Sequence, residues 1–429
     1  MQRSRWTSAV CALTAAALVL TGCGRDDSGS GGKGKAGEPA KVPGFDGSTI
    51  KLGALVPQSG PVKVVGDPIL AGNRAFWEAL NAKGGIAGKY KVELDVRDNK
   101  YTPQETVIQY GAIKNQVVAF QQILGTAPLQ GVQAQLARDG GFSFAGTLDA
   151  IWHKDPHLLA LFAPYQIQAA NGISYYVNEM GGKGKPVCTL TADNSFGNAG
   201  LDGAAHAAKE LGITYKAQAK FTSGQSDFGS QVDQLKKAGC AAVWLGAVPS
   251  DTAAILAKAA QNGFDTQWIG TAVSYSASFA GTALAPYLEK NFIAAIEGVA
   301  WGDRSVPEMK LFTDAIAKYA PQQKPDHQAL SAWLQASALS QILTKAVELG
   351  DLSKPGILAA AAATKTINMG GIVKDQKYGT PAEREPSRYT TMFKITPETL
   401  ATNAGLAVLA PNAVNFSSPA AKSYKFDLG

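Results

Sequence analysis

The chain is poor in the residues on which metal and nucleophilic chemistry depend. Of its 429 residues, four are histidine and four are cysteine. None of His153, His157, His206 and His327 falls into the His-Glu-x-x-His spacing of a metalloprotease. His153 and His157 stand four apart, but Pro156 lies between them and no glutamate accompanies them, so they read as solvated loop residues. Cys11 and Cys23 belong to the N-terminal stretch; Cys188 and Cys240 remain for the folded body, and no zinc site can be built from that spacing. Ser143 in Gly-Phe-Ser-Phe-Ala lacks the last glycine of a nucleophile elbow. The Gly/Lys cluster at 181–185 ends in Pro186, where a phosphate loop needs Ser or Thr. Asp193 is a lone acid at a strand end and reads as a turn or cap. Charge is also unremarkable: 40 Lys and Arg are interspersed with 34 Asp and Glu, and Lys183 and Lys185 form the one small basic knot. A nucleic-acid partner would call for a basic stripe with aromatic platforms. These absences argue against an enzyme, a resident metal or a cofactor.

What is present begins at the N-terminus. Arg3 and Arg5 precede an apolar run from Ala9 to Leu20, roughly a dozen residues and short of the ~20 that span a bilayer. Leu20-Thr21-Gly22-Cys23 follows and resembles the lipobox of bacterial lipoproteins. That resemblance implies a signal peptide over 1–22, acylation of Cys23, and a membrane attachment through lipid alone. Residues 23–48 are rich in Gly, Ser, Lys and Asp with almost no apolar side chain before Val42, the composition of a flexible tether. The reading is an extracytoplasmic, lipid-anchored protein.

From Thr49 onward about 380 residues remain, long for one core and suited to two lobes. Thr49 to Val56 is a β-rich run, and Asp67-Pro68 offers a helix cap with proline at the first helical position. Strands are expected at Tyr90 to Val96 and Val117 to Leu124, with a helix from Pro103 between them. The alternation restarts at Pro186 with Val187-Cys188-Thr189-Leu190 and continues through Tyr215 to Phe221, Ala241 to Leu245 and Trp268-Ile269-Gly270, each followed or preceded by a helix. Strand and helix alternating with Gly-rich turns predict α/β architecture with parallel sheets covered on both faces. Two such series predict two doubly wound lobes.

The segment KLGALVPQSGPVKVVGDPILAGNRAFWEALNAKGGIAG (51–88) resembles the opening of the leucine/isoleucine/valine-binding type of ABC-transporter solute-binding proteins. Asp98 to Pro103, Ala163-Pro164, Asp193-Asn194-Ser195-Phe196-Gly197 and Thr222 to Phe228 match in order and spacing. The resemblance implies the type I periplasmic binding protein fold, two Rossmann-like lobes joined by three crossings, acting as a monomer that captures a small solute for an ABC permease and ATPase. A sensor lipoprotein that docks on a membrane receptor without transport is the alternative. The expected N-terminal lobe comprises 49–163 and 302–366, the C-terminal lobe 164–301 and 367–429. In a lobe of strand order 2-1-3, Cys188 and Cys240 fall on neighbouring strands, and an oxidising compartment permits a bridge; two unbridged buried thiols are the other reading.

Open α/β sheets bind ligands at the carboxyl ends of their strands. In the first lobe that places Thr126, Ala127 and Leu129, then Thr147, Leu148 and Asp149, at the cleft. Family members that bind amino acids hold the ammonium with an acid after the fourth strand of the second lobe, helped by tyrosines. Here that stretch reads Thr271-Ala272-Val273, with Tyr275 following; Ala272 stands at the acid, Phe196 lacks the expected hydroxyl, and Val65 and Ala247 stand where tyrosine is common. Asp149 is the one alternative anchor. An unpaired ammonium in a closed apolar cleft costs several kcal/mol. The departures therefore predict a largely apolar or aromatic ligand with one carboxylate or hydroxyl group, ahead of a branched-chain amino acid.

Overall fold

The structure is a computed structural model and describes residues 38–402 and 405–426. The proposed signal peptide and Cys23 lie outside the described residues, and the expected tether ends earlier than 48: Phe45 is buried in the first core and bridges to Ile50, because its ring packs edge-on against Tyr90. The first half of the chain runs β1 (Thr49–Leu55), α1 (Lys63–Asn81), β2 (Lys91–Arg97), α2 (Pro103–Ile113), β3 (Ala119–Leu124), α3 (Thr126–Arg138), β4 (Ser143–Gly146) and β5 (Leu158–Leu159). The next elements are α4 (Tyr165–Glu179), β6 (Val187–Ala192), α5 (Ser195–Leu211), β7 (Gln218–Phe221), α6 (Gly229–Lys237), β8 (Ala242–Gly246), α7 (Pro249–Gln261), β9 (Gln267–Gly270), α8 (Ala285–Asn291) and β10 (Phe292–Ile296). The chain closes with α9 (Pro307–Tyr319), α10 (His327–Glu348), α11 (Lys354–Ala363), β11 (Thr366–Ile367), β12 (Gln376–Lys377), β13 (Thr391–Lys394), α12 (Pro397–Thr402), β14 (Ala407–Val408) and α13 (Pro419–Ser423).

Two sheets result. The first has the order β2-β1-β3-β4-β5 and is parallel throughout. The second has the order β14-β13-β10-β9-β8-β6-β7, parallel from β10 to β7 and closed at one edge by the antiparallel β13 and β14. Strands buried along their whole length, such as β3, β6 and β8, are what helices on both faces require. Asn194 caps α5 by accepting from the Gly197 N–H at 3.0 Å, so this helix starts at Ser195. Helix α1 likewise begins earlier than its Asp-Pro signal: Lys63 opens it, Pro68 lies inside, and Asp67 pairs with Lys63.

Helices α9, α10 and α11 pack on the first sheet, where Phe312, Trp333, Leu339 and Ile357 share one core with Ile50, Leu52 and Phe76. The last crossing differs from the boundary expected at 366. Ile367, Met369, Ile372, Val373 and Tyr378 belong to that same core. Arg384 then donates to the carbonyls of Asp155 at 2.7 Å and Leu158 at 2.9 Å, and the chain joins the second sheet only at β13. The segment carries two-residue strands and left-handed Gly370 and Gly371. It has no helical or strand period from which its side could be read. The same strap buries His153, expected to be solvated, to 3 % exposure. Cys188 and Cys240 are joined in a disulfide with Cα atoms 5.8 Å apart. No helix among the described residues is long and apolar enough to cross a membrane.

Candidate functional site

The two sheets point their carboxyl ends at one internal space of about 70 Å³. The loops after β3 and β4 bring Gly125, Thr126, Gly146, Thr147 and Leu148 to it from the first lobe. Gly125 has φ 109°, and a Cβ there would lie 2.7 Å from the Tyr101 ring, so only glycine lets that ring close the wall. Val65 and Ile69 of α1 and Phe196 of α5 add apolar surface from opposite sides. The second lobe contributes Val248, Ala272, Val273 and Ile296.

Six residues expected at the cleft line this space: Val65, Thr126, Thr147, Leu148, Phe196 and Ala272. The other six stand elsewhere. Leu129 is buried behind the first sheet, one helical turn beyond Thr126, and Ala127 is rotated off the wall by the same helix. Asp149 caps the short turn Ala150–Trp152 and accepts from Gln166 at 3.0 Å, so it is no ammonium anchor here. Ala247 is in the core with its carbonyl taken by Ser274, Thr271 is bonded to the same serine, and Tyr275 stacks on Phe279. Asp193 is exposed and paired with Lys220. Among the described residues no group of His, Cys, Asp or Glu is placed to hold a metal.

The wall that the sequence did not suggest is α10. His327, Gln328, Ser331 and Gln335 present its N-terminal half to the space. Asp326 caps the helix through the Gln328 N–H and reaches across to accept from the Ala277 N–H at 3.0 Å. Gln328 donates to the Ala272 carbonyl at 2.8 Å. Both bonds join α10, which packs on the first lobe, to the β9 loop of the second. The available signal was four polar residues on one side of an otherwise apolar helix after an Asp cap.

Glu297 was missed too. Its two carboxylate oxygens accept from the Ala163 N–H at 2.5 Å, the Ser387 hydroxyl at 2.7 Å and the Gln376 amide at 3.4 Å. These partners lie on the first and third crossings, and Glu297 itself on the second. Burial pushes its pKa up to about 7, against the hydrogen bonds that favour the charged form. Burial likewise pushes Asp326 up to about 6 and His327 down to about 4. Between pH 4.5 and 7 the unfolded chain ionises Glu297 while the folded one keeps its proton, so this group's contribution to stability falls as pH rises through that window. Glu297→Gln is therefore expected to gain on the native protein by on the order of 3 kcal/mol between pH 4.5 and pH 8. Paired denaturant titrations at the two pH values measure this, and equal differences at both would refute it.

Two α/β lobes with three crossings and a lined space between their strand ends define a ligand-capturing protein of the type I fold. The chain belongs to the periplasmic binding protein family, whose pattern matches residues 49–396. A curated relative is the Leu/Ile/Val-binding protein homolog 3 of Brucella melitensis, 26% identical over 201 residues, which are 46% of this chain and 54% of that protein. The match thus spans about half of the relative's length. Among solved structures, a fatty acid ABC transporter substrate-binding protein from Thermomonospora curvata superposes with a TM-score of 0.82 at 23% identity, covering 90% of this chain and 96% of the other. A branched chain amino acid ABC transporter from Thermus thermophilus with bound valine gives 0.73 at 17% identity, covering 87% and 98%. At these identities the two structures show the fold.

Proposed function

We propose that this protein is an extracytoplasmic lipoprotein, anchored through Cys23, that captures a largely apolar carboxylic acid between its lobes and delivers it to an ABC permease and ATPase. The observation that supports the ligand class is the wall. Val62, Val65, Ile69, Phe196, Val248 and Ile296 face the space, and the family resemblance sets Ala272 at the position where amino-acid binders carry an acid. A space of about 70 Å³ has room for roughly five waters, enough for the short alkyl chain of a small acid. The fatty-acid-binding structural neighbour supports the same class. Ligand held against Ala272 and α10 would favour the closed state alongside the Gln328 and Asp326 bonds, which link α10 to the β9 loop. A permease reads that state, and the lipid anchor keeps the protein near it.

A branched-chain amino acid is the second reading, favoured by Glu297 as the one carboxylate in the wall. Its oxygens already take three donors from the crossings, which assigns it to the hinge. Titration calorimetry with butanoate, hexanoate, octanoate and leucine separates the readings. Affinity is expected to rise about fourfold per methylene, the equivalent of about 0.8 kcal/mol, until the space is filled. Tighter binding of leucine than of every alkanoate would overturn the proposed class. Ala272→Asp should weaken octanoate by about 100-fold, because it sets an anion in the apolar wall beside an acid ligand. An unchanged octanoate affinity in that variant would remove Ala272 from the site.

A further inference from the structure

Two polar atoms in this apolar space have no partner. The Nε2 of His327 and the Oε1 of Gln335 are both buried without a hydrogen bond, and both residues line the wall. Unpartnered buried polar atoms are uncommon, and their cost is recovered when a ligand fills them. His327 is bonded to the Val299 backbone, and since Nε2 is unpartnered, that bond uses Nδ1. A carbonyl only accepts, so Nδ1 carries the proton and Nε2 of the neutral ring is an acceptor. Gln335 can turn its amide to present either its oxygen or its nitrogen.

A carboxylate is also an acceptor and cannot bond to such a nitrogen. A carboxyl group that keeps its proton can, giving O–H to His327 and taking N–H from Gln335. Among the described lining residues there is no lysine or arginine to neutralise an anion. The charged and titratable groups around the ring work in the same direction. Asp326 precedes it on α10, Glu297 shares the wall from the second crossing, and the phenols of Tyr101 and Tyr165 complete it, while the apolar Phe393 ring of β13 packs on the imidazole at 4.6 Å. Building on the acid-ligand reading, we infer that the protein binds a carboxylic acid together with one proton, shared between the ligand carboxyl and His327 Nε2 and fixed in place by Gln335.

The proton balance holds wherever the proton rests. Neutral acid on neutral imidazole and carboxylate on imidazolium carry the same count, one more than free carboxylate plus free neutral His327. Burial keeps His327 neutral in the empty protein, with a pKa of about 4, and free alkanoates ionise at about 4 to 5. The dissociation constant for octanoate should therefore rise about tenfold per pH unit between pH 6 and pH 8. Calorimetry of the native protein at pH 7.5 in phosphate and in Tris, whose ionisation heats differ, should give an uptake of about one proton per octanoate bound. In His327→Asn made together with Glu297→Gln, which removes the titrating carboxylate of the wall, the amide can donate to a carboxylate and the pH slope should vanish. Octanoate binding that is flat with pH, with no uptake in the native protein, overturns the inference and leaves the ligand class intact; it would place the carboxylate at the Thr126 and Thr147 hydroxyls. A slope that persists in that double variant assigns the proton to another group and overturns it as well. Failure of octanoate to bind at any pH removes the ligand-class reading and this inference with it.

Discussion

Gly72→Ala is expected to destabilise the protein by about 3 kcal/mol and to weaken ligand binding by about tenfold. A Cβ at position 72 would lie 2.1 Å from the Ala329 carbonyl oxygen and 2.9 Å from its carbon. Neither atom can rotate away, because both belong to the backbone of α10. The helices must separate by roughly 1 Å to restore van der Waals contact. The separation would loosen the edge-to-face packing of Phe76 on Trp333, with ring centroids 5.0 Å apart. It would also shift the turn that carries His327, Gln328, Ser331 and Gln335, so stability and binding should fall together. Denaturant unfolding and octanoate titration of the same variant measure both. A variant of native stability and native affinity would show that α1 and α10 are not as closely apposed as the structure has them.

Removing the Cys188–Cys240 disulfide is expected to have the largest effect on stability. The bridge closes a sequence separation of 52 residues, for which the chain-entropy model gives about 4 kcal/mol. In a domain of this size that corresponds to a fall in Tm of about 5 °C. Both cysteines are buried, at 0 % and 3 % exposure, so reductant should reach them only when the second lobe opens. Cys188→Ala with Cys240→Ala, compared with the oxidised protein by thermal unfolding, measures the effect. A difference below about 1 kcal/mol, or two titratable thiols in the unfolded, unreduced native chain, would refute the stabilising bridge.

The elements were legible where a short window carries its own signal. The apolar β1 segment and the fully apolar β8 each announce themselves within a few residues, and so the two parallel series could be counted. Strand-end turns followed from that count, because a parallel sheet collects its ligand groups at one edge. Thr126, Thr147 and Ala272 were found in this way. Within each turn the count could not fix which neighbour faces inward. Thr126 lines the wall while Ala127 and Leu129 do not, because α3 begins at Thr126 and turns the next residues away.

What the sequence determined by itself is the alternation of strands and helices, the two series and the apolar character of the strand-end turns. All of these depend on local periodicity or on residue type. Only the tertiary structure decided that α10 walls the cleft, that residues 367–378 stay with the first lobe, and that Glu297 joins the three crossings. Each of these depends on contacts between segments far apart in the chain: Gly72 against Ala329, Arg384 against Leu158, Glu297 against Ala163 and Ser387. A helix pattern records which face is apolar, and α10 has apolar residues nearly all round. The position of its polar N-terminal turn at a ligand space was set by the helix it packs against.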